Sequence, residues 1–204
     1  MAYLANMTTR MGKVTDVNTI SDYDKEETKR HFSINTSVIP IVWEDTKVNI
    51  LDTPGLFDFV GEVEEAAAVA DAAIIVVSGK NGIEVGTKKA WEICEKYKLP
   101  HMIFVTNMDN DNASYRQVVQ DLQDMYGKCI APFHLPVREN KEFVGYVNVL
   151  QQRAKRWTPH GTVEKMDLPE YSQKNLDICR TALMEAVAET NEDFLAVSNT
   201  HLRA

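Results

Sequence analysis

Cysteine is scarce and scattered: Cys94, Cys129 and Cys179 are the only three in 204 residues. None forms a Cys-x-x-Cys pair, which argues against a disulfide framework or a zinc site and fits a reducing compartment. Positive charge is also in deficit, with 22 Lys and Arg against 30 Asp and Glu and a net charge of −8. No general basic surface is implied, and no direct sequence-specific nucleic-acid binding is expected. No apolar run approaches the roughly 20 residues a membrane span needs, and no secretory leader is read. A cytoplasmic monomer with no membrane partner is the expectation. Internal repeats and low-complexity tracts are missing. His101, His134 and His160 are too dispersed to suggest a metal site, and Trp43, Trp91 and Trp157 read as packing residues.

What is present is a 44% hydrophobic chain, long enough for one domain or a domain with an appendage. Residues 1–9 look like the last turns of a helix, with Tyr3, Leu4 and Met7 at helical spacing. Asp24–Arg30 reads equally well as a short charged helix or a solvated loop. Ser33–Trp43 and Val48–Leu51 are rich in β-branched residues and flank Glu44-Asp45-Thr46, the pattern of a β-hairpin.

A helix is expected from about Asp58 through Ala70, with Glu62, Glu64 and Glu65 on an exposed face. Ala72–Val77 and Met102–Val105 are continuous apolar runs of the kind buried on both faces of a parallel sheet. Between and after them, Glu84–Lys98 and Ser114–Tyr126 carry helical stripes. The inward residues are Ala90, Trp91, Cys94 and Tyr97 in the first, and Val118, Val119, Leu122 and Met125 in the second. This alternation predicts an α/β fold with a doubly wound sheet. The pattern changes after residue 128. Ile130–Val137 and Phe143–Val149 read as strands, a polar region with Pro159 and Gly161 follows, and a long helix runs from about Pro169 to Glu189. The expected organisation is therefore 1–128 as the main domain and 129–204 as a small α+β subdomain.

The stretch Lys47-Val48-Asn49-Ile50-Leu51-Asp52-Thr53-Pro54-Gly55 organises the rest. An apolar strand ends in an acid and a tight turn, and ligands bind beyond the carboxyl ends of strands in open α/β sheets. Asp52 there can hold a hydrated Mg²⁺, and Gly55 lets a bare backbone N–H approach a phosphate. Read alone, the four letters describe only a strand and a turn with proline presetting φ. Asp109 follows a later strand and is expected on the same sheet edge. A carboxylate there accepts two N–H bonds from the guanine edge but meets an acceptor in adenine, which makes it selective.

At these residues the chain resembles the translational GTPases, and within them the elongation factor G group. The likeness runs through Gly12-Lys13-Val14, Lys29–Ile34, Asp52–Gly55, Asp58-Phe59, Glu62–Glu64 and Phe104–Asp109. It continues through Leu135–Val137, Phe143–Val147 and Glu185–Thr190, which are similar to that group's inserted subdomain, and fades after Leu195.

The resemblance implies a P-loop-type GTPase fold, GTP or GDP with Mg²⁺ as cofactors, the ribosome as partner and a role in protein biosynthesis. It places Ser33 and Asp52 at the metal, Gly55 at the γ-phosphate and Asp109 at the guanine base, and it makes Asp52, Thr53, Pro54, Gly55, Thr106, Asn107, Met108 and Asp109 the cofactor-binding residues. Thr106 and Asn107 stand where the family has asparagine and lysine. Leu56 stands at the histidine that positions the attacking water, so no catalytic residue is assigned.

No Gly-x-x-x-x-Gly-Lys-Ser/Thr phosphate loop occurs in the sequence: Gly12, Gly79 and Gly127 precede lysines, but Val14, Asn81 and Cys129 follow. The family's last guanine-contacting Ser-Ala pair is missing as well. An internal fragment of a GTPase region is therefore expected. Two readings remain open: a GTP-binding, ribosome-associated GTPase region, and a chain that binds no nucleotide and acts only through its surface.

Overall fold

A computed structural model describes residues 1–140, 142–158 and 162–190. The chain divides into two compact units, Met1–Val76 with Glu84–Phe104, and Val77–Ile83 with Val105–Ala204.

In the first unit, helix α1 (Lys25–Arg30) is opened by a capping box in which Asp24 and Glu27 satisfy each other's amides. Strands β1 (Ser37–Trp43) and β2 (Thr46–Asp52) pair antiparallel with Trp43 opposite Thr46. Glu44 and Asp45 between them are both left-handed (φ 44° and 65°), the turn whose twist matches a two-residue hairpin. A 3₁₀ turn, Phe57–Phe59, leads into α2 (Val60–Val69). Helix α3 (Val85–Tyr97) buries Thr87, Ile93 and Cys94.

Strands β3 (Ala73–Ser78) and β4 (His101–Thr106) form a separate two-stranded sheet. The amide of Ala73 donates to Pro100 and that of Gly79 to Thr106, the progression of a parallel pair. The expected burial on both faces is not found. Ile75 and Val77 are 4% and 1% exposed, whereas Ile74, Val76, Met102 and Phe104 are each more than half exposed. Residues therefore alternate in and out along β3, as on a sheet with one covered face.

In the second unit, α4 (Tyr115–Tyr126) buries Val118 and Leu122 and is capped by the Ser114 hydroxyl. Met125, expected on the inward stripe, is exposed. Strands β5 (His134–Glu139), β6 (Glu142–Asn148), β7 (Arg153–Trp157) and β8 (Val163–Met166) form an antiparallel meander in that order. Helix α5 (Glu170–Ala188) follows, and its Leu176 joins Val137, Val147, Val149 and Ala154 in a core with almost no accessible surface.

Several expectations are corrected here. Residues 1–9 form turns rather than a helix, because Asn6 takes a left-handed φ of 56° and breaks the ladder. The strand expected from Ser33 starts at Ser37, and that expected from Ile130 starts at His134. The segment read as polar after Val149 contains β7 and β8. Trp43 and Trp157 are 51% and 38% exposed rather than packed inside. His160, read as dispersed and without a metal role, lies outside the described residues.

Candidate functional site

The first corner is built on β2. Its apolar, half-buried end delivers Asp52 to the strand tip, where Thr53 is half-buried and Pro54 is buried. Among the described residues, the Asp52 carboxylate has no hydrogen-bond or ion-pair partner, which leaves it free for a cation or water. Gly55 is exposed, and a Cβ added to it would meet nothing within 4 Å. The space in front of this turn is open, as a phosphate-sensing amide requires.

Ser33, expected as a metal ligand, has its hydroxyl committed elsewhere: it donates to Asp22 Oδ1 at 2.8 Å, while Thr19 donates to Asp22 Oδ2 at 2.7 Å. The proton of this hydroxyl is used on Asp22, and its oxygen lone pairs remain available to a cation. Leu56 is 44% exposed and presents neither donor nor acceptor. Its neighbour Phe57 lies under the Lys89 ammonium, 4.4 Å from the ring centre.

The loop carrying Ser33 is held by two acids. Glu27, fully buried, accepts from Asp24 N at 3.0 Å, Ile34 N at 2.8 Å and Asn35 N at 2.9 Å. Burial pushes the pKa of this carboxyl up, but the amides of Asn35, Ile34, Asp24 and Tyr23 outweigh it and hold the group below its ordinary value. Glu62 accepts from Thr36 N at 2.6 Å, and its carbonyl accepts from the Thr36 hydroxyl at 3.2 Å. Phe32 and Phe59 add a ring contact at 6.4 Å. The segment around Ser33 is thereby tied to the segment that follows Gly55.

The acidic face expected on α2 is thus only partly solvated. Glu62 and Glu64 are half-buried and partnered, Glu64 by Lys96 at 2.7 Å, and Glu65 is exposed. The Lys96 bond holds Glu64 below its ordinary pKa.

The second corner lies in the second unit. Thr106 O accepts from Gly79 N, and the Thr106 hydroxyl donates to Val77 O at 3.3 Å. Asn107 is left-handed (φ 54°), which turns the chain sharply out of β4. Met108 is buried with its sulfur against Gly79, where a Cβ would come within 2.8 Å of it. With Met108 anchored inward, Asp109 is exposed, and among the described residues its carboxylate has no partner. A free carboxylate on a fixed loop suits the two N–H donors of a guanine edge.

One residue here was missed by sequence reasoning. Arg138 on β5 donates to the carbonyls of Met108 (2.6 Å), Ala113 (3.4 Å) and Asn110 (3.5 Å). A single guanidinium therefore pins the loop that carries Asp109 on both sides of that residue. Its sequence neighbourhood, an arginine before a polar turn, reads as solvated surface and gives no such signal.

The elongation factor Tu GTP binding domain model matches residues 1–201 of the chain. The chain belongs to this family of translational GTPases. A crystal structure of a Thermus thermophilus protein superposes with a TM-score of 0.90 at 33% identity. The match covers 95% of this chain and 29% of that protein, so the chain spans under a third of its relative's length. The fold is accordingly the α/β fold of a P-loop GTPase, as the alternation of strands and helices implied. The turn at Asp52–Gly55 and the loop at Thr106–Asp109 each carry a carboxylate that has no partner among the described residues.

Proposed function

We propose that the chain is the GTP-responsive region of an elongation factor G-like GTPase that works on the ribosome in the cytoplasm, with residues 129–204 as its inserted subdomain. The observation that carries this reading is two carboxylates with no partner among the described residues, Asp52 at the tip of β2 and Asp109 three residues beyond β4, in a domain of this family. Asp52, through water, and Ser33, through its hydroxyl oxygen, would hold Mg²⁺. Thr53, Pro54 and Gly55 meet the γ-phosphate, and Thr106–Asp109 receive the base, with Asp109 reading guanine. The bound nucleotide and metal supply a phosphoryl group with its charge neutralised. The protein residues orient that group and discriminate the base.

The competing reading, that these 204 residues bind no nucleotide, rests on a specific observation: no Gly-x-x-x-x-Gly-Lys-Ser/Thr segment lies within them. That loop and its helix N-terminus supply most phosphate contacts in P-loop proteins. Both readings make the same demand on the isolated chain, weak binding, and differ for a chimera carrying a translational GTPase's strand, phosphate loop and helix ahead of Met1. Calorimetry with Mg²⁺ and GTP separates them. Micromolar or tighter, guanine-selective binding by the chimera is expected; no binding by a folded chimera would establish the second reading.

A further inference from the structure

The meander β5–β8 has two faces of very different chemistry. One carries Val137, Val147, Ala154 and Met166 and is covered by Leu176, Cys179 and Leu183 of α5. The register places the alternate residues on the other face. His134 lies opposite Asn148 and then Arg153; Tyr146 lies opposite Lys155 and then Lys165; Trp157 lies opposite Val163.

Three rings are in contact across this face, His134 on Tyr146 at 4.9 Å and Tyr146 on Trp157 at 5.6 Å. Three cations, Arg153, Lys155 and Lys165, stand among them, and these register rows contain no carboxylate. Glu164 falls in the row with Arg156, on the opposite side. Burial, and after it the charge of Lys155, lowers the His134 imidazole below its ordinary value.

We infer that the open face of β5–β8 binds single-stranded RNA, with bases stacking on the His134–Tyr146–Trp157 strip and phosphates meeting Arg153, Lys155 and Lys165. Two features favour this occupant. Planar rings spread over a sheet match unpaired bases, every one of which has a π-face, so the contact is tolerant of sequence. Cations whose register rows carry no acid are complementary to a phosphate backbone. A duplex is excluded from the stacking contact because its bases are already paired and stacked. The inference is compatible with the expectation of no sequence-specific readout and does not depend on nucleotide binding at Asp52 or Asp109.

The test uses the 204-residue chain and a fluorescein-labelled single-stranded oligouridylate of about 12 nucleotides, followed by anisotropy. Three neutralised phosphates give a slope of about −2 in log affinity against log salt, at roughly −0.7 per contact for single strands. The Lys155→Glu/Lys165→Glu double variant, in which Lys165 is exposed and Lys155 half-buried, should lose at least about tenfold in affinity at low salt while retaining the parent's circular dichroism. Trp157→Ala should lose on the order of 5- to 150-fold, the range for one aromatic–base stack, and Trp157→Phe should recover most of it. Duplex RNA of equal length should compete poorly. No saturable binding by the parent at ~50 mM salt, or equal affinity in the folded double variant, would overturn the inference. So would equal affinity for a polyglutamate peptide that is insensitive to Trp157→Ala, which would instead assign the face to an acidic protein segment.

Discussion

Glu27→Ala should destabilise the chain far more than a glutamate in a short charged helix ordinarily would. The carboxylate is buried and accepts three backbone N–H groups, at 3.0, 2.8 and 2.9 Å, from both ends of the segment that carries Ser33. Hydrogen bonds to a charged acceptor contribute about 1.5–3 kcal/mol each, and truncation strands the donors. Water reaches some of the released amides, so the net loss is on the order of 3–5 kcal/mol, out of a total stability of about 5–15.

Glu27→Gln keeps Oε1 for Ile34 and Asn35 but turns an NH₂ toward the Asp24 amide. A loss of about 1–3 kcal/mol is expected. Urea denaturation at pH 7 measures both. The sign of the pH dependence follows from the lowered folded pKa. The contribution is present in full above the unfolded carboxylate value, about 4.3, and is lost as pH falls through the lower folded value. The difference between parent and Glu27→Ala should therefore shrink below about pH 4. A loss under ~1 kcal/mol at pH 7, or a difference that grows on acidification, would refute the assignment of Glu27 as the anchor.

Three other outcomes are expected. Ile75→Ala should cost about 2–5 kcal/mol, whereas Val76→Ala beside it should stay within about 0.5, because only one face of β3 is covered; equal losses in urea denaturation would contradict that. Arg138→Met in the phosphate-loop chimera should weaken GTP more than Arg138→Lys and speed amide hydrogen exchange at Asn110 and Ala113, since the guanidinium fixes the loop around Asp109. Leu56→His in the same chimera should raise single-turnover GTP hydrolysis on ribosomes by tens- to thousands-fold, the range for a water-positioning group; fast turnover by the leucine form with no gain would mean another residue orients the water.

Sequence pattern revealed those elements whose burial has a clean period. Val118 and Leu122, and Cys94 with Trp91, repeat at helical spacing, and α3 and α4 were read to within a residue or two. Strands β7 and β8 were hidden because Arg153-Ala154-Lys155-Arg156-Trp157 buries only Ala154 completely and carries long cations on either side of it. The apolar runs of β3 and β4 look alike whether one face is covered or two, so only the structure reveals Ile74 and Phe104 at the surface.

The candidate site was legible where its chemistry is local in sequence, at Asp52–Gly55 and Thr106–Asp109. The interactions that hold it were not, because they join distant residues: Ser33 with Asp22, Glu62 with Thr36, and Arg138 with Met108. No local pattern in the chain records such pairings.

The most direct test of the proposed function is base selectivity at Asp109 in the phosphate-loop chimera. Binding of GTP, ATP and xanthosine triphosphate is compared by calorimetry for the chimera and its Asp109→Asn variant. If Asp109 reads guanine, the parent prefers GTP over ATP, and the variant loses GTP affinity while gaining xanthosine triphosphate, whose altered edge pairs with the amide. An unchanged guanine preference in the folded variant would contradict the assignment of the Thr106–Asp109 loop as the base site.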